Sequence, residues 1–136
     1  MKLSLTIPGE PCAKGRPRFY NGRAITPTKT VNYETLVKEM WAITHKDKRL
    51  EGALYARVTA YFAIPKSASK VKRERMTMGA TRPVKRPDID NLIKSVLDAL
   101  NEIAYKDDSQ VVQLFAEKLY SDIPRVEIEL TEIGGD

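Results

Sequence analysis

Residues 2 to 8 alternate, with Leu3, Leu5 and Ile7 on one side and Lys2, Ser4 and Thr6 on the other. That period of two predicts a half-buried strand, ended by Pro8, Gly9 and Pro11. Asn21-Gly22 then favours a tight turn, which predicts a short hairpin over 18 to 26. From Tyr33 the period lengthens. Tyr33, Leu36, Val37, Met40 and Ile43 fall at helical spacing, so a helix is expected to about Lys46, with Thr30 or Asn32 as N-cap. Alternation returns in Ala56, Val58, Ala60, Phe62 and Ile64, which predicts a central strand over 54 to 64. A second helix is expected over 89 to 104, with an apolar stripe of Ile89, Ile93, Val96, Leu97, Leu100, Ile103 and Ala104. Two further strands are expected at about 110 to 120 and 125 to 133.

Between these elements, residues 66 to 86 show neither period. They carry Lys66, Lys70, Lys72, Arg73, Arg75, Arg82, Lys85 and Arg86 against Glu74 alone. A segment so poor in apolar surface predicts a mobile basic loop holding a short helix at most. The order of elements indicates one α+β domain over 1 to 136, a mixed β-sheet with two main helices packed on one face. The length suffices for a single core without a metal or disulfide staple.

Charge changes the picture. The net charge is +5, yet residues 1 to 87 carry 19 Lys/Arg and 6 Asp/Glu, whereas residues 88 to 136 carry 4 and 12. The first segment is therefore +13 and the second −8, which points to a polyanion partner such as nucleic acid. The sole cysteine, Cys12, forbids an intrachain disulfide and suits a reducing cytoplasm. His45 is the only histidine, which argues against a multi-histidine zinc site and a Ser-His-Asp triad. No apolar run is long enough to span a bilayer, and the N-terminus lacks a continuous apolar signal stretch.

The candidate chemistry lies in Arg86-Pro87-Asp88-Ile89-Asp90-Asn91-Leu92-Ile93-Lys94 and in Tyr105-Lys106-Asp107-Asp108-Ser109-Gln110-Val111. Asp88 and Asp90 open the second helix, where the macrodipole favours negative charge. Lys94 follows Asp90 by four residues on the same face, away from the core stripe. Mg²⁺ prefers oxygen ligands, often one or two carboxylates with water and phosphate. Each residue also has an ordinary reading: Asp88 as a cap, Asp90 and Lys94 as a surface pair, Asp107-Asp108 as turn residues.

The run from Pro87 to Lys94, with Asp98-Ala99-Leu100-Asn101 and Asp107-Asp108-Ser109-Gln110-Val111, closely resembles the RusA family of Holliday junction resolvases. Pro8-Gly9-Glu10-Pro11 and Lys14-Gly15-Arg16-Pro17-Arg18 resemble that family's opening segment. The resemblance implies a RusA-like fold and a homodimeric, Mg²⁺- or Mn²⁺-dependent endonuclease, often encoded by prophages, that nicks four-way DNA junctions symmetrically in recombination and repair. Carried over by motif, Asp88, Asp90 and Asp108 are the metal-binding catalytic acids and Lys94 the catalytic lysine. Asp107 is left as a supporting or turn residue. The basic residues Lys14, Arg16, Arg18, Arg23, Lys70, Lys72, Arg73, Arg75, Lys85 and Arg86 are candidates for holding DNA phosphates. Phe19 and Tyr20 are read as hairpin packing, with base stacking as the alternative. Two other functions stay open: a branched-DNA-binding module without catalysis, and a metal-dependent nuclease for flaps or duplex. Cys12, Trp41 and His45 are assigned to structure or surface.

Overall fold

The computed structural model describes residues 1–12, 18–20, 23–25 and 28–134, with side chains for 1–12 and 32–134. The alternating strands fold as the pattern predicts. β1 (Lys2–Pro8), β4 (Leu54–Ala63), β5 (Val111–Ser121) and β6 (Arg125–Glu132) form one sheet in the order β1-β6-β4-β5. β4 runs parallel to β5 and antiparallel to β6, so the sheet is mixed. A separate two-stranded sheet joins β2 (Arg18–Tyr20) to β3 (Arg23–Ile25), pairing Tyr20 with Arg23.

One face of the sheet carries the core. Leu5, Ile7, Ala56, Val58, Ala60, Phe62, Val126, Ile128 and Leu130 are all buried there. α1 (Thr28–His45) packs on β1 and on α3 (Ile89–Ala99), which in turn reaches β5. The opposite face mixes Tyr55, Tyr61 and Phe115 with charged residues and holds ion pairs such as Lys2–Glu129 and Arg57–Glu117. Among the described residues no helix is long and apolar enough to cross a membrane.

Both helices depart from their predicted bounds. α1 begins at Thr28, so the expected N-cap positions Thr30 and Asn32 lie inside the helix. The early turn carries no apolar stripe, and the period could not mark it. α3 stops at Ala99, five residues short of the expected 104. Ile103 and Ala104 then donate their N–H groups to Leu100 O at 3.0 Å each, and Glu102 takes φ +65°. These turns keep Leu100 and Ala104 buried at nearly helical spacing, which is why the pattern ran on past the helix end. The stripe is also rotated from its predicted place. Leu92 and Ser95 are buried, whereas Ile89 is 40% exposed.

The basic segment 66 to 86 contains a helix, α2 (Lys70–Thr77), packed against β5. Its N-cap is Ser69, whose hydroxyl accepts the Lys72 N–H at 3.2 Å. No residue of α2 is buried. Polar contacts attach it and the chain that follows: Arg73 of α2 bonds Asp122 Oδ1 at 3.1 Å, and Arg82 beyond the helix bonds Glu117 Oε2 at 3.1 Å.

The strand order also revises the charge picture. Pairing β1 with β6 and β4 with β5 brings bases of the first segment onto acids of the second, as in Lys2–Glu129 and Arg57–Glu117. Among the described residues, Lys70, Lys72 and Arg75 on α2 and Lys85 and Arg86 before α3 are exposed.

Candidate active site

The site is built around the exposed side of α3. Asp88 sits at the N-cap position with φ −66° and ψ 149°, yet its carboxylate makes no capping hydrogen bond. The ordinary use of an aspartate before a helix is therefore not realised, and the side chain faces solvent. Asp90 and Lys94 are exposed on the following turns. Lys94 pairs onward, not back: its Nζ stands 3.7 Å from Asp98 Oδ2.

The two adjacent aspartates after the helix have separate tasks. Asp107 caps the short 3₁₀ turn Asp108–Gln110, accepting the Ser109 N–H at 3.2 Å, while Gln110 Oε1 accepts the Asp107 N–H at 3.1 Å. Hydrogen bonding from the Ser109 side chain first, then from the Ser109 and Asp108 backbone, holds the Asp107 carboxyl below the usual carboxylate range. Asp108 turns back towards α3. Its backbone N–H donates to Asn101 Oδ1 at 2.8 Å, and its carboxyl lies beside that of Asp98. Partial burial, the neighbouring Asp98 carboxyl and the negative charge of Asp107 push the Asp108 carboxyl up, partly offset by Lys94. The platform beneath is buried and hydrogen-bonded. Tyr105 is fully buried, and its hydroxyl donates to Leu97 O at 2.6 Å. Burial first, then the nearby aspartates, push that phenol strongly up, so it stays protonated.

Beside Asp88 opens a cleft of about 550 Å³ whose lining includes Arg82, Lys85, Arg86 and Lys118. Lys118 was not anticipated from the sequence. Its Nζ donates to Lys85 O at 2.5 Å and Pro87 O at 3.0 Å, and it lies over the Phe62 ring at 5.2 Å. It thereby fixes the chain immediately before Asp88. The only sequence signal was a lysine at a core-facing register of a strand, opposite Ala60. Asp98 and Asn101 were likewise missed as contacts of Asp108, although Lys94 to Asp98 has the i,i+4 spacing that announces a pair.

Of the basic candidates, Lys70, Lys72 and Arg75 are exposed on α2, whereas Arg73 is engaged by Asp122 and by Pro65 O. Lys85 and Arg86 are exposed beside the cleft. Arg18 and Arg23 lie on the paired strands β2 and β3, with side chains outside those described. Lys14 and Arg16 fall outside the described residues.

Comparison with known proteins decides the family. The profile of Endodeoxyribonuclease RusA matches residues 8–131. The chain belongs to the RusA endodeoxyribonuclease family. Relatives extend the match. "Uncharacterized protein YqaN" of Bacillus subtilis (strain 168) is 39% identical over 138 aligned positions, covering 97% of each chain. "Crossover junction endodeoxyribonuclease rusA" of Lactococcus phage r1t is 32% identical over 121 positions, covering 88% of this chain and 82% of the phage protein. The RusA match runs from the end of β1 through β6 and so includes α3, the Asp107-Asp108 turn and the basic segment.

Among the described residues, no three carboxylate, histidine or cysteine side chains form a ready cage for a metal ion. The donor set nonetheless fits a hard divalent cation. Asp88, Asp90 and Asp108 offer oxygen only, and Mg²⁺ commonly takes one or two carboxylates and completes its shell with water and phosphate. The Asp98 and Asp108 carboxyls stand near one another, and the Lys94 ammonium beside them offsets part of their mutual repulsion.

Proposed function

We propose that this protein is a structure-specific endonuclease that resolves four-way DNA junctions by symmetric nicking, in DNA recombination and repair. The observation that supports it most is the arrangement on α3. Asp88 is spared from capping, Asp90 and Lys94 project to solvent, and Asp108 is folded back against the same helix, in a member of an endodeoxyribonuclease family. The phage relative is named for the same reaction.

Asp88, Asp90 and Asp108 would hold Mg²⁺, with Mn²⁺ as a substitute. A divalent cation there would neutralise charge on the scissile phosphate and lower the pKa of an attacking water. Lys94 contributes a positive charge held on the solvent side of the helix, suited to the extra negative charge that develops on the phosphoryl oxygens. Asp107 keeps the turn shaped so that Asp108 alone presents its carboxylate to the site. Two nicks placed symmetrically need two such sites, which an isologous homodimer supplies. The reaction is assigned to the cytoplasm.

Incubating the purified protein with a labelled four-way junction and with matched linear duplex, with and without Mg²⁺ or Mn²⁺, tests this reading. Paired nicks confined to the junction and dependent on the cation are expected. Tight junction binding with no cleavage under either cation would instead identify a DNA-binding module. Cleavage of flaps or plain duplex at the same rate would remove the junction specificity.

DNA contact is assigned to Lys14, Arg16, Arg18, Arg23, Lys70, Lys72, Arg73, Arg75, Lys85 and Arg86. The structure divides the helical members of this set. Lys70, Lys72 and Arg75 are free to meet phosphates, while Arg73 must first leave Asp122. Changing Lys70, Lys72 and Arg75 together to Gln is expected to flatten the log–log salt dependence of junction binding by about 3, one for each lost phosphate contact. Between 50 and 200 mM salt, the variant should then lose about 40-fold less affinity than wild type. An unchanged slope in a binding titration would remove α2 from the DNA surface.

A further inference from the structure

Asp98 lies in the last turn of α3 and touches both partners of the chemistry assigned above. Its Oδ2 stands 3.7 Å from Lys94 Nζ, one turn earlier on the helix. Its carboxyl group also lies beside that of Asp108, which arrives from the turn after the helix. Three residues further on, Asn101 Oδ1 accepts the Asp108 backbone N–H at 2.8 Å. The end of α3 thus meets Asp108 by backbone and by side chain, and the side-chain contact is the one that reaches Lys94.

An i,i+4 pair on an open helix surface contributes little and needs no special account. Two features set this one apart. The Asp98 side chain is 19% exposed against 63% for Lys94, so the acid is the fixed member and the lysine the one being held. A carboxylate in the final turn of a helix also opposes the macrodipole, and α3 carries no basic residue in that turn to offset it. Asp98 is therefore poorly placed for helix stability and well placed for Lys94 and Asp108. Residues that break a local rule in this way are those expected at functional sites.

We propose that Asp98 is a positioning residue of the nuclease centre, fixing Lys94 and Asp108 relative to one another. It sets the distance between a lysine carried by the helix and a carboxylate carried by the following turn. Without it, Lys94 is a long exposed side chain free to sample many rotamers, and Asp108 keeps only its backbone hold. The inference rests on the reading of Lys94 and Asp108 as nuclease residues.

The test compares wild type with Asp98→Asn and Asp98→Glu in three measurements. These are the thermal midpoint, Mn²⁺ binding to the DNA-free protein by calorimetry, and single-turnover junction cleavage across a Mg²⁺ series. Asp98→Asn is expected to leave the midpoint unchanged or higher, because it removes the charge that opposes the helix dipole. Mn²⁺ affinity should fall by about 10–100-fold, as is usual when a residue orienting metal ligands is lost. Cleavage should fall with it at limiting Mg²⁺, and Asp98→Glu should recover part of both losses. Unchanged Mn²⁺ affinity and cleavage would overturn the proposal. So would a loss of cleavage that tracks a lowered midpoint, which marks a purely structural role. If wild type binds Mn²⁺ but leaves the junction intact, the resolvase reading fails, and the calorimetric difference between wild type and Asp98→Asn still decides the role of Asp98.

Discussion

Asp90→Asn is expected to lower junction cleavage by about 10³-fold or more while leaving the fold and junction binding intact. Asn preserves the shape of the side chain and removes its charge. A metal bound at such a site supplies several kcal/mol of charge stabilisation in the transition state, and each 1.4 kcal/mol lost is about tenfold in rate. Asp90 is exposed on the first turn of α3, so no packing is disturbed. Removing an anion beside DNA phosphates also cannot weaken binding through charge, and junction affinity should hold or rise slightly. Single-turnover cleavage at saturating protein separates this loss from any change in affinity. Asp107→Asn is the informative companion. Asn caps as well as Asp does, so that variant should keep most of its activity. Full activity in Asp90→Asn, with normal junction binding, would remove Asp90 from the chemistry.

Trp41→Ala is expected to destabilise the protein by about 3–5 kcal/mol, the usual cost of deleting a large buried aromatic. Trp41 is fully buried on α1, where that helix meets β1 and α3. Its ring lies 4.5 Å from that of His45, and its Nε1 donates to Lys48 O at 3.2 Å, tying the helix end to the chain that leaves it. Substitution opens a cavity and strands that carbonyl. Against a total stability of about 5–15 kcal/mol, such a loss leaves a marginal fold. The unfolding midpoint should fall by roughly 10–15 °C for a chain of this length. Because Trp41 touches no DNA-facing residue named above, cleavage per folded molecule should persist at low temperature. A denaturant titration showing a loss below about 1 kcal/mol would mean that the site relaxes to fill the gap.

Much of the fold was legible because short-range physics decided it. Period-two alternation located β1, β4 and β6 to within a residue or so, since each has one face on the core and a one-residue slip would expose it. The same logic gave an α+β order with a mixed sheet and helices on one face. Helix ends were less legible. The stripe through Leu100 and Ala104 is shared by a helix and by the turns that follow it, and apolar spacing alone does not distinguish them. α2 is a different case. It has no buried residue to leave a pattern; Arg73 ties it to Asp122 just past β5, and Arg82 ties the chain after it to Glu117 on β5, which are contacts between distant parts of the chain.

The sequence by itself named the residues for the proposed chemistry, Asp88, Asp90, Lys94 and the Asp107-Asp108 pair, and placed them on one short helix and the turn beyond it. What it could not assign was the division of labour. Only the fold shows Asp88 at a cap position without capping, Asp107 spent on a turn, Asp108 bent back to Asp98 and Asn101, and Lys118 reaching from β5 to hold the chain before Asp88. The physical reason is the same in each case. Whether a carboxylate is a cap, a turn residue or a ligand depends on which donors lie within about 3 Å, and those donors come from backbone turns and neighbouring strands whose placement tertiary packing sets.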